Sequence, residues 1–479
     1  MFFYLKFLSM IGFVIKSKTY SKIIRIIGLA AGILLINIES FTQEIIEFQE
    51  VMPLPENLDN VPVFNSNSPE MVSQEGILLS TFPREGKKFP QAHLNFVFNG
   101  RVDVFTHHIS QPASPDNWRT LYLGVILFNP GVKPVKVNVL QGASYLGQPD
   151  APFIDLPSFL DNPQGRIYAG PGNRVMNDIL RGKRLSEFPS FLIIPPGKSQ
   201  LLMNAPIPVR DLEAPINGRS SLIRLRSNGL VYIASLAMFA RRDNRGEERV
   251  PTVQEWEFLL KNYDRVKPRD LIPTAPNQTN GSMIYGRVAG VALGSRWRSR
   301  LTDHFGSSYL TIPERGKAFS YGINTLPAGQ LGTNQTQSAK MLVRYPDTAY
   351  MAHGNYGIEY NLSLPLYNNT KNQQTVILTI QTPIKMNKLM GGGLIFLEPP
   401  LSRVLFRGTV RVSYERDRNH RETRYVHLVQ RRGQRGEALI KLELKPGERR
   451  VVEVDFIYPP DASPPQVLTV KTLATEKTK

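Results

Sequence analysis

The sequence predicts a mainly β protein made of two Ig-like or fibronectin-like β-sandwich units, related by internal duplication and joined by a short helical connector. Three observations carry this. First, two distant stretches follow one plan, "RTLYLGVILFNPGVKPVKVNVLQGAS" (Arg119–Ser144) and "YGIEYNLSLPLYNNTKNQQTVILTIQTP" (Tyr356–Pro383). Each is an alternating strand, a polar turn opened by an Asn (Asn129, Asn368) and a second alternating strand. Second, each is followed by a strand, a "PPGKS" or "KPGER" turn and another strand, Ile193–Met203 and Leu442–Phe456. Third, 36 Gly and 37 Pro punctuate short apolar runs, which favours strands and turns over helices.

At 479 residues the chain has room for two or three domains, each with its own core. The expected organisation is a leader over 1–43, an extended lead-in over 44–75, and a first sandwich over 76–245 with an insertion at 147–187. A connector over 246–282 and a second sandwich over 283–479 complete it.

Lys16, Lys18, Lys22 and Arg25 precede the apolar run Ile26–Ile36, the pattern of a secretory signal peptide or an N-terminal anchor. The run falls short of the about 20 residues that a membrane-spanning helix needs. Export to the periplasm, cell envelope or extracellular space is the expected location.

In the first unit "GILLSTF" (Gly76–Phe82) reads as a strand. "HLNFVFNGRVDVFTHHI" (His93–Ile109) reads as a hairpin about Asn99-Gly100. Arg119–Tyr145 reads as another, and Ser220–Ala240 closes the unit with a third. The insertion breaks the strand rhythm, with Asn173–Leu180 as one or two helical turns. In the connector, Pro251, Thr252 and Glu255 form a capping-box pattern ahead of Trp256, Leu259 and Leu260, so a short helix starts there. In the second unit Tyr309–Ile323 resembles a hairpin and Lys340–Tyr345 a strand. "FRGTVRVSY" pairs with "RYVHLVQ" across the charged turn Glu415–Arg424, and Gln466–Thr472 is the last strand.

The chain has no cysteine, which excludes disulfides, thiolate metal sites, a cysteine nucleophile and a lipid-bearing cysteine anchor. Its net charge is +18, and loss of the first 43 residues would take five Lys/Arg and one Glu and leave about +14. Such an excess points to an acidic partner; for an exported chain this is an anionic envelope glycan, a membrane surface or an envelope protein, and not nucleic acid.

No catalytic signature stands out. Asp103 and His107 share a strand face while His108 points the other way, and no third metal ligand accompanies them. No metal, cofactor or catalytic residue is assigned. "YAGPGNR" before "VMNDILR" places a Gly-rich turn and Arg174 at a helix start, where backbone N–H groups hold anions. Basic clusters fall in predicted turns: Arg181, Lys183 and Arg184; Arg241, Arg242 and Arg245; Arg431, Arg432 and Arg435. In a fourth, Arg296, Arg298 and Arg300 flank Trp297, a pairing suited to stacking on a sugar or holding a phosphate or carboxylate. The expected binding residues are thus Arg296, Trp297, Arg298, Arg300, Arg174, Arg181, Lys183 and Arg184. Carboxylates of the insertion (Asp150, Asp155, Asp161) offer an alternative, an acid/base pair for glycan hydrolysis or a carbohydrate-binding module.

Several strings have a family look: "LPENLDNVPVFNSNSPEMV", "EGILLSTFP", "LRGKR", "YIASLAMFA", "IYGRVAGVALGSRW", "YPDTAYMAHGNYGIEY", "FRGTVRV", "YVHLVQRRGQ" and "YPPDASPPQVLTV". Together they resemble an exported cyanobacterial family of unknown function (domain of unknown function 3370), over most of the chain beyond the leader. The resemblance implies a cell-envelope, periplasmic or extracellular location and transfers no catalytic residue. The leading expectation is an exported, non-enzymatic envelope protein, structural or adhesive, that binds an anionic glycan, lipopolysaccharide or protein through Arg-bearing loops.

Overall fold

The computed structural model describes residues 42–474, apart from 113, 115–117, 279–281 and 418–419. The predicted leader and the tip of the Glu415–Arg424 turn therefore lie outside the described residues. Among the described residues there are 29 strands and two α-helices, so the protein is mainly β.

Four large sheets form two facing pairs. A nine-stranded sheet shares a core with a four-stranded one through Val104, Leu123, Val125, Val137, Ile223 and Ile233. A seven-stranded sheet shares another with a five-stranded one through Tyr360, Leu362, Val376, Leu378, Val454 and Leu468. The strand Asn217–Ser227 lies inside the nine-stranded sheet and is buried on both faces: Ile223 and Leu225 enter the first core, Leu222 the second.

The expected hairpins are mostly something else. Leu121–Phe128 pairs with Ser199–Ile207 and Tyr232–Phe239 in the four-stranded sheet. Val135–Leu146, its expected partner, pairs with Phe191–Ile194 and Asn217–Ser227 in the nine-stranded sheet. The connection is an arch that carries the chain from one sheet to the facing one. Ser220–Ala240 arches in the same way, since its two strands also sit in different sheets. Tyr309–Ile323 does too: Leu310–Thr311 pairs with Glu359–Tyr367, and Ala318–Ile323 pairs with Gln466–Thr472. At Asn99-Gly100, Phe98 bridges to Val231 and the Gly100 N–H reaches Ser227 Oγ, so the flanking segments do not pair with each other. Alternation and turn residues specify strand–turn–strand, but whether the turn stays in one sheet depends on distant partners. The pairing of Val404–Asp417 with His420–Arg431 is a true antiparallel hairpin, as the sequence indicates.

The Asn that opens each repeated turn explains the arches. Asn129 donates from its amide to the carbonyls of Lys133 (2.7 Å) and Ile194 (2.9 Å), and accepts from the Gly131 N–H (2.8 Å). Asn368 donates to Asn372 (2.8 Å) and Leu444 (2.9 Å), and accepts from the Thr370 N–H (3.0 Å). The backbones match as well: Asn129 N to Lys198 O and Gly197 N to Asn129 O, beside Asn368 N to Glu448 O and Gly447 N to Asn368 O. Each Asn thus stitches its own turn to the downstream Pro-Gly turn.

Strand pairing crosses the boundaries expected from sequence. The extended lead-in enters the sheets: Pro62–Ser66 is a buried strand inserted between Arg101–Ser110 and Ala289–Leu293. Ala289–Leu293 and Ala339–Arg344 join the nine-stranded sheet, whereas Glu50–Met52 joins the five-stranded and Phe159–Asp161 the seven-stranded one. The ranges 76–245 and 283–479 therefore do not each close a sheet pair unaided.

Both helices form where expected. Val253–Asn262 is opened by the Thr252–Glu255 capping box. Its Trp256 lies so close to the four-stranded sheet that a Cβ on Gly124 would stand 2.8 Å from the indole. The insertion helix Pro171–Leu180 is longer than expected, and Val175, Met176, Ile179 and Leu180 pack it into the second core.

Candidate functional site

The structure spends the expected binding residues on its own scaffold. Arg296–Arg300 is a strand, not a turn, and pairs in parallel with Glu359–Ser363. Trp297 is 3% exposed, stacks on Tyr360 and donates to Pro55 O (3.0 Å), so no sugar reaches its face. In a strand, alternate side chains face opposite ways, which sends Trp297 inward and Arg298 and Arg300 outward. Arg296 is held by Glu359 at 2.8 Å. Arg298 and Arg300 line a shallow depression of about 530 Å³ shared with Arg411, Glu453 and Asp455.

The other cluster pins down the insertion. Arg174 donates to Asp150 O (2.5 Å) and lies over the rings of Tyr145 and Tyr168. Arg181 donates to Pro163 O, Asn162 O and Asn177 Oδ1 and covers Tyr425. Lys183 pairs with Asp178 (2.8 Å), and Arg184 donates to Phe188 O (2.7 Å). The expected anion seat at the helix start is taken by the chain itself. Asp461 accepts from the Asn173 N–H, and Pro460 presses on Gly172 so closely that any Cβ there would stand 2.2 Å from its ring. Two of the three insertion carboxylates serve the scaffold: Asp150 accepts from the Leu146 N–H, and Asp161 pairs with Arg424 at 2.6 Å.

What the structure brings together instead is a cavity of about 960 Å³. Asn65, Asn67 and Glu70 enter from the inserted strand and the loop after it, and His107 from the end of Arg101–Ser110. Asp270, Tyr285, Arg287, His353 and Tyr356 come from loops, Arg407 from the hairpin, and Asp461 from the turn before the last strand.

Its electrostatics are partly settled and partly open. Burial pushes the Glu70 carboxyl up, but His107 at 3.6 Å and the directly paired Arg287 more than offset this and hold it below the ordinary range. Burial raises Asp461, and the charges of His107 and Arg407 and the Asn173 N–H only partly counter it. Burial also keeps His353 neutral, lowering it to about 4, while Ser338 Oγ holds its Nδ1 at 2.9 Å. His107 lies 2.7 Å from Ser220 Oγ, and His108 sits between Ser66 Oγ and Pro69 O, so both are satisfied within the fold. Three acceptors have no donor: the buried side-chain oxygens Asn65 Oδ1, Asn67 Oδ1 and Asp461 Oδ2. Arg407 lies over the Phe153 ring, and among the described residues no carboxylate forms an ion pair with it. Among the described residues no three His, Asp or Glu side chains are grouped as metal ligands.

The strings beginning Leu54, Ile284, Tyr345, Phe406 and Tyr458, quoted for the family resemblance, all contribute to this lining. The chain belongs to the DUF3370 family. The family model, described as "Protein of unknown function (DUF3370)", matches residues 49–472, and every residue of the cavity falls within that span. No curated protein matches the chain. A solved structure, that of Lac15 from a marine microbial metagenome, aligns with 11% identity over 89% of this chain at a TM-score of 0.11. This chain spans 66% of the Lac15 chain, and so low a score carries no argument about this DUF3370 protein.

Proposed function

We propose that this DUF3370 protein is an exported, non-enzymatic component of the cell envelope that binds an envelope glycan, and that the binding site is the cavity rather than the Arg-bearing loops. The observation that carries this reading is a space of about 960 Å³ lined by the polar side chains of Asn65, Asn67, Glu70, Asp270, Arg287 and Asp461. Convergent polar groups around a concave space fix the orientation of a ligand, and a polyhydroxylated one offers them hydrogen-bond partners. Arg407 fits an acidic substituent. The net charge of about +14 that remains without the leader draws acidic polymers in.

In this reading the two sheet pairs derive from one duplicated Ig-like unit. The matched hydrogen bonds of Asn129 and Asn368 support it, because two unrelated turns have no reason to share three side-chain partner positions.

The test is co-sedimentation of the purified chain with washed envelope polysaccharide of the native host. Retention that is lost in Asn67→Leu and Arg407→Ala supports the cavity. Retention unchanged in both, or none in the wild type, contradicts it.

One observation favours an enzymatic alternative, moved from the insertion to the cavity. Glu70 and Asp461 line the same space with affinities for the proton pushed in opposite directions, the pattern of a base and an acid. Release of reducing ends from that polysaccharide, abolished by Glu70→Gln and by Asp461→Asn, would establish it. No release by the wild type removes it.

A further inference from the structure

The rim of the cavity differs in kind from its depth. Three loops that reach the cavity each expose two neighbouring apolar side chains: Phe153–Ile154, Leu271–Ile272 and Met283–Ile284. One member of each pair, Phe153, Leu271 or Ile284, belongs to the lining, and Ile216 adds a fourth side. All seven are between 39% and 74% exposed.

Single exposed apolar residues are ordinary, but a cluster gathered around one polar opening is not. Leaving it in water forgoes about 25 cal/mol for every Å² that a partner would cover. The depth is lined by Asn, Asp, Glu and Arg side chains that suit hydroxyl groups, and the rim asks for hydrocarbon. A sugar alone satisfies the first, and an apolar protein surface alone satisfies the second. A molecule with a polyol head and an apolar tail satisfies both.

We propose that the occupant is a glycolipid of the envelope membrane, its sugar headgroup in the cavity and the three rim loops dipping into the apolar edge of the leaflet. This rests on the glycan reading above and narrows it to a lipid-linked sugar. Loops with adjacent large apolar side chains enter the headgroup–acyl boundary without spanning it. Lys385, in the lining with its Nζ 3.0 Å from the Tyr285 hydroxyl, and Arg407 then stand at the level where basic side chains meet lipid headgroups.

The test is flotation of the full chain with vesicles of phosphatidylcholine alone, with added diglucosyl diacylglycerol, or with added phosphatidylglycerol. The expected result is flotation with the glycolipid vesicles only. Leu271→Ser/Ile272→Ser should weaken it roughly a hundredfold, because two large side chains lose their apolar burial. Both residues are at least 70% exposed, so the fold does not depend on them. Asn67→Leu should abolish the preference for the sugar.

Equal flotation with phosphatidylcholine alone overturns the proposal. So does flotation with phosphatidylglycerol that salt reverses, or glycolipid binding indifferent to the rim variant. Free glucosyl disaccharide provides the separating arm. If it binds while no vesicle does, the lipid proposal falls and the glycan reading stands; if neither binds, and envelope polysaccharide is not retained, both fall.

Discussion

Asn129 and Asn368 occupy equivalent places in the two sheet pairs: each buried amide ties its own turn to the carbonyl just before a downstream Pro-Gly turn, at 2.9 Å in both cases. The strands that follow can only run into the facing sheet, because the amide has fixed the turn against the opposite layer. Replacing either Asn by Ala strands several buried backbone groups at once. Asn129→Ala and Asn368→Ala should each cost about 1–3 kcal/mol, read from the urea midpoint at constant slope. A loss at one site only would contradict the equivalence.

Arg224 connects the two pairs. From the nine-stranded sheet it meets Asp103 at 3.3 Å and Glu359, at the start of a strand in the seven-stranded sheet, at 2.7 Å. All three side chains are largely buried. Arg224→Met would remove the cation that Asp103 and Glu359 share and leave them only Arg101 and Arg296, a loss of about 1.5–3 kcal/mol. Chemical denaturation checks this, and a change below 1 kcal/mol would contradict it.

Acid should unfold the protein in two stages. Burial lowers His93, His353 and His427 to about 4 and His108 to about 3, so these rings stay neutral in the fold but accept protons near 6.5 once unfolded. Their contribution is complete above pH 6.5 and declines as pH falls toward 4, by about 1.4 kcal/mol per pH unit for each ring. Glu359 adds a lower window. Burial pushes it up, but Arg224 and Arg296 more than offset this and hold it at about 2 against an ordinary 4.5. Its contribution is present above 4.5 and is lost as pH falls toward 2. Urea midpoints between pH 8 and pH 3 check both stages. Flat stability from pH 7 to pH 5 would contradict the histidine stage, and an unchanged low-pH slope in Glu359→Gln the carboxylate stage.

The outward arginines should matter for encounter rather than for seating. Arg298→Ser/Arg300→Ser should leave polysaccharide affinity at high salt within about twofold of wild type and weaken only its low-salt part, because exposed charges act through a screened field. Trp297→Ala should instead destabilise by about 3–5 kcal/mol, as large core truncations do. Binding by the folded Trp297→Ala fraction should be unchanged. Loss of binding with intact stability would restore Trp297 to the site.

Much of the strand content was legible, and so was the connector helix. Gly76–Ser80, Ala339–Arg344 and Gln466–Thr472 follow from apolar runs between turn residues, and Thr252 with Glu255 marks a helix start that needs no tertiary context. Topology was less legible. Pro62–Ser66 looks like loop because Pro and Asn surround it, yet it pairs on both edges with strands that sequence places in different units. The cavity was not visible at all as a site. Glu70, His107, Arg287, His353 and Asp461 share no spacing, and only the folding of five segments onto one another makes them neighbours. The Arg clusters misled for a simple reason: a guanidinium serves equally to hold a ligand or to bind its own backbone carbonyls, as Arg181 does with Pro163 and Asn162.

The central claim, that the cavity seats a glycan, is tested most directly by calorimetric titration with soluble oligosaccharides released from the envelope polysaccharide. Wild type should be compared with Ile284→Trp, which narrows the mouth at a partly exposed position, and with Arg298→Ser/Arg300→Ser. The account predicts saturable binding by wild type and by the arginine variant, and at least tenfold weaker binding by Ile284→Trp, about 1.4 kcal/mol. Binding that survives in Ile284→Trp and disappears in the arginine variant would contradict it and return the site to the strand Arg296–Arg300.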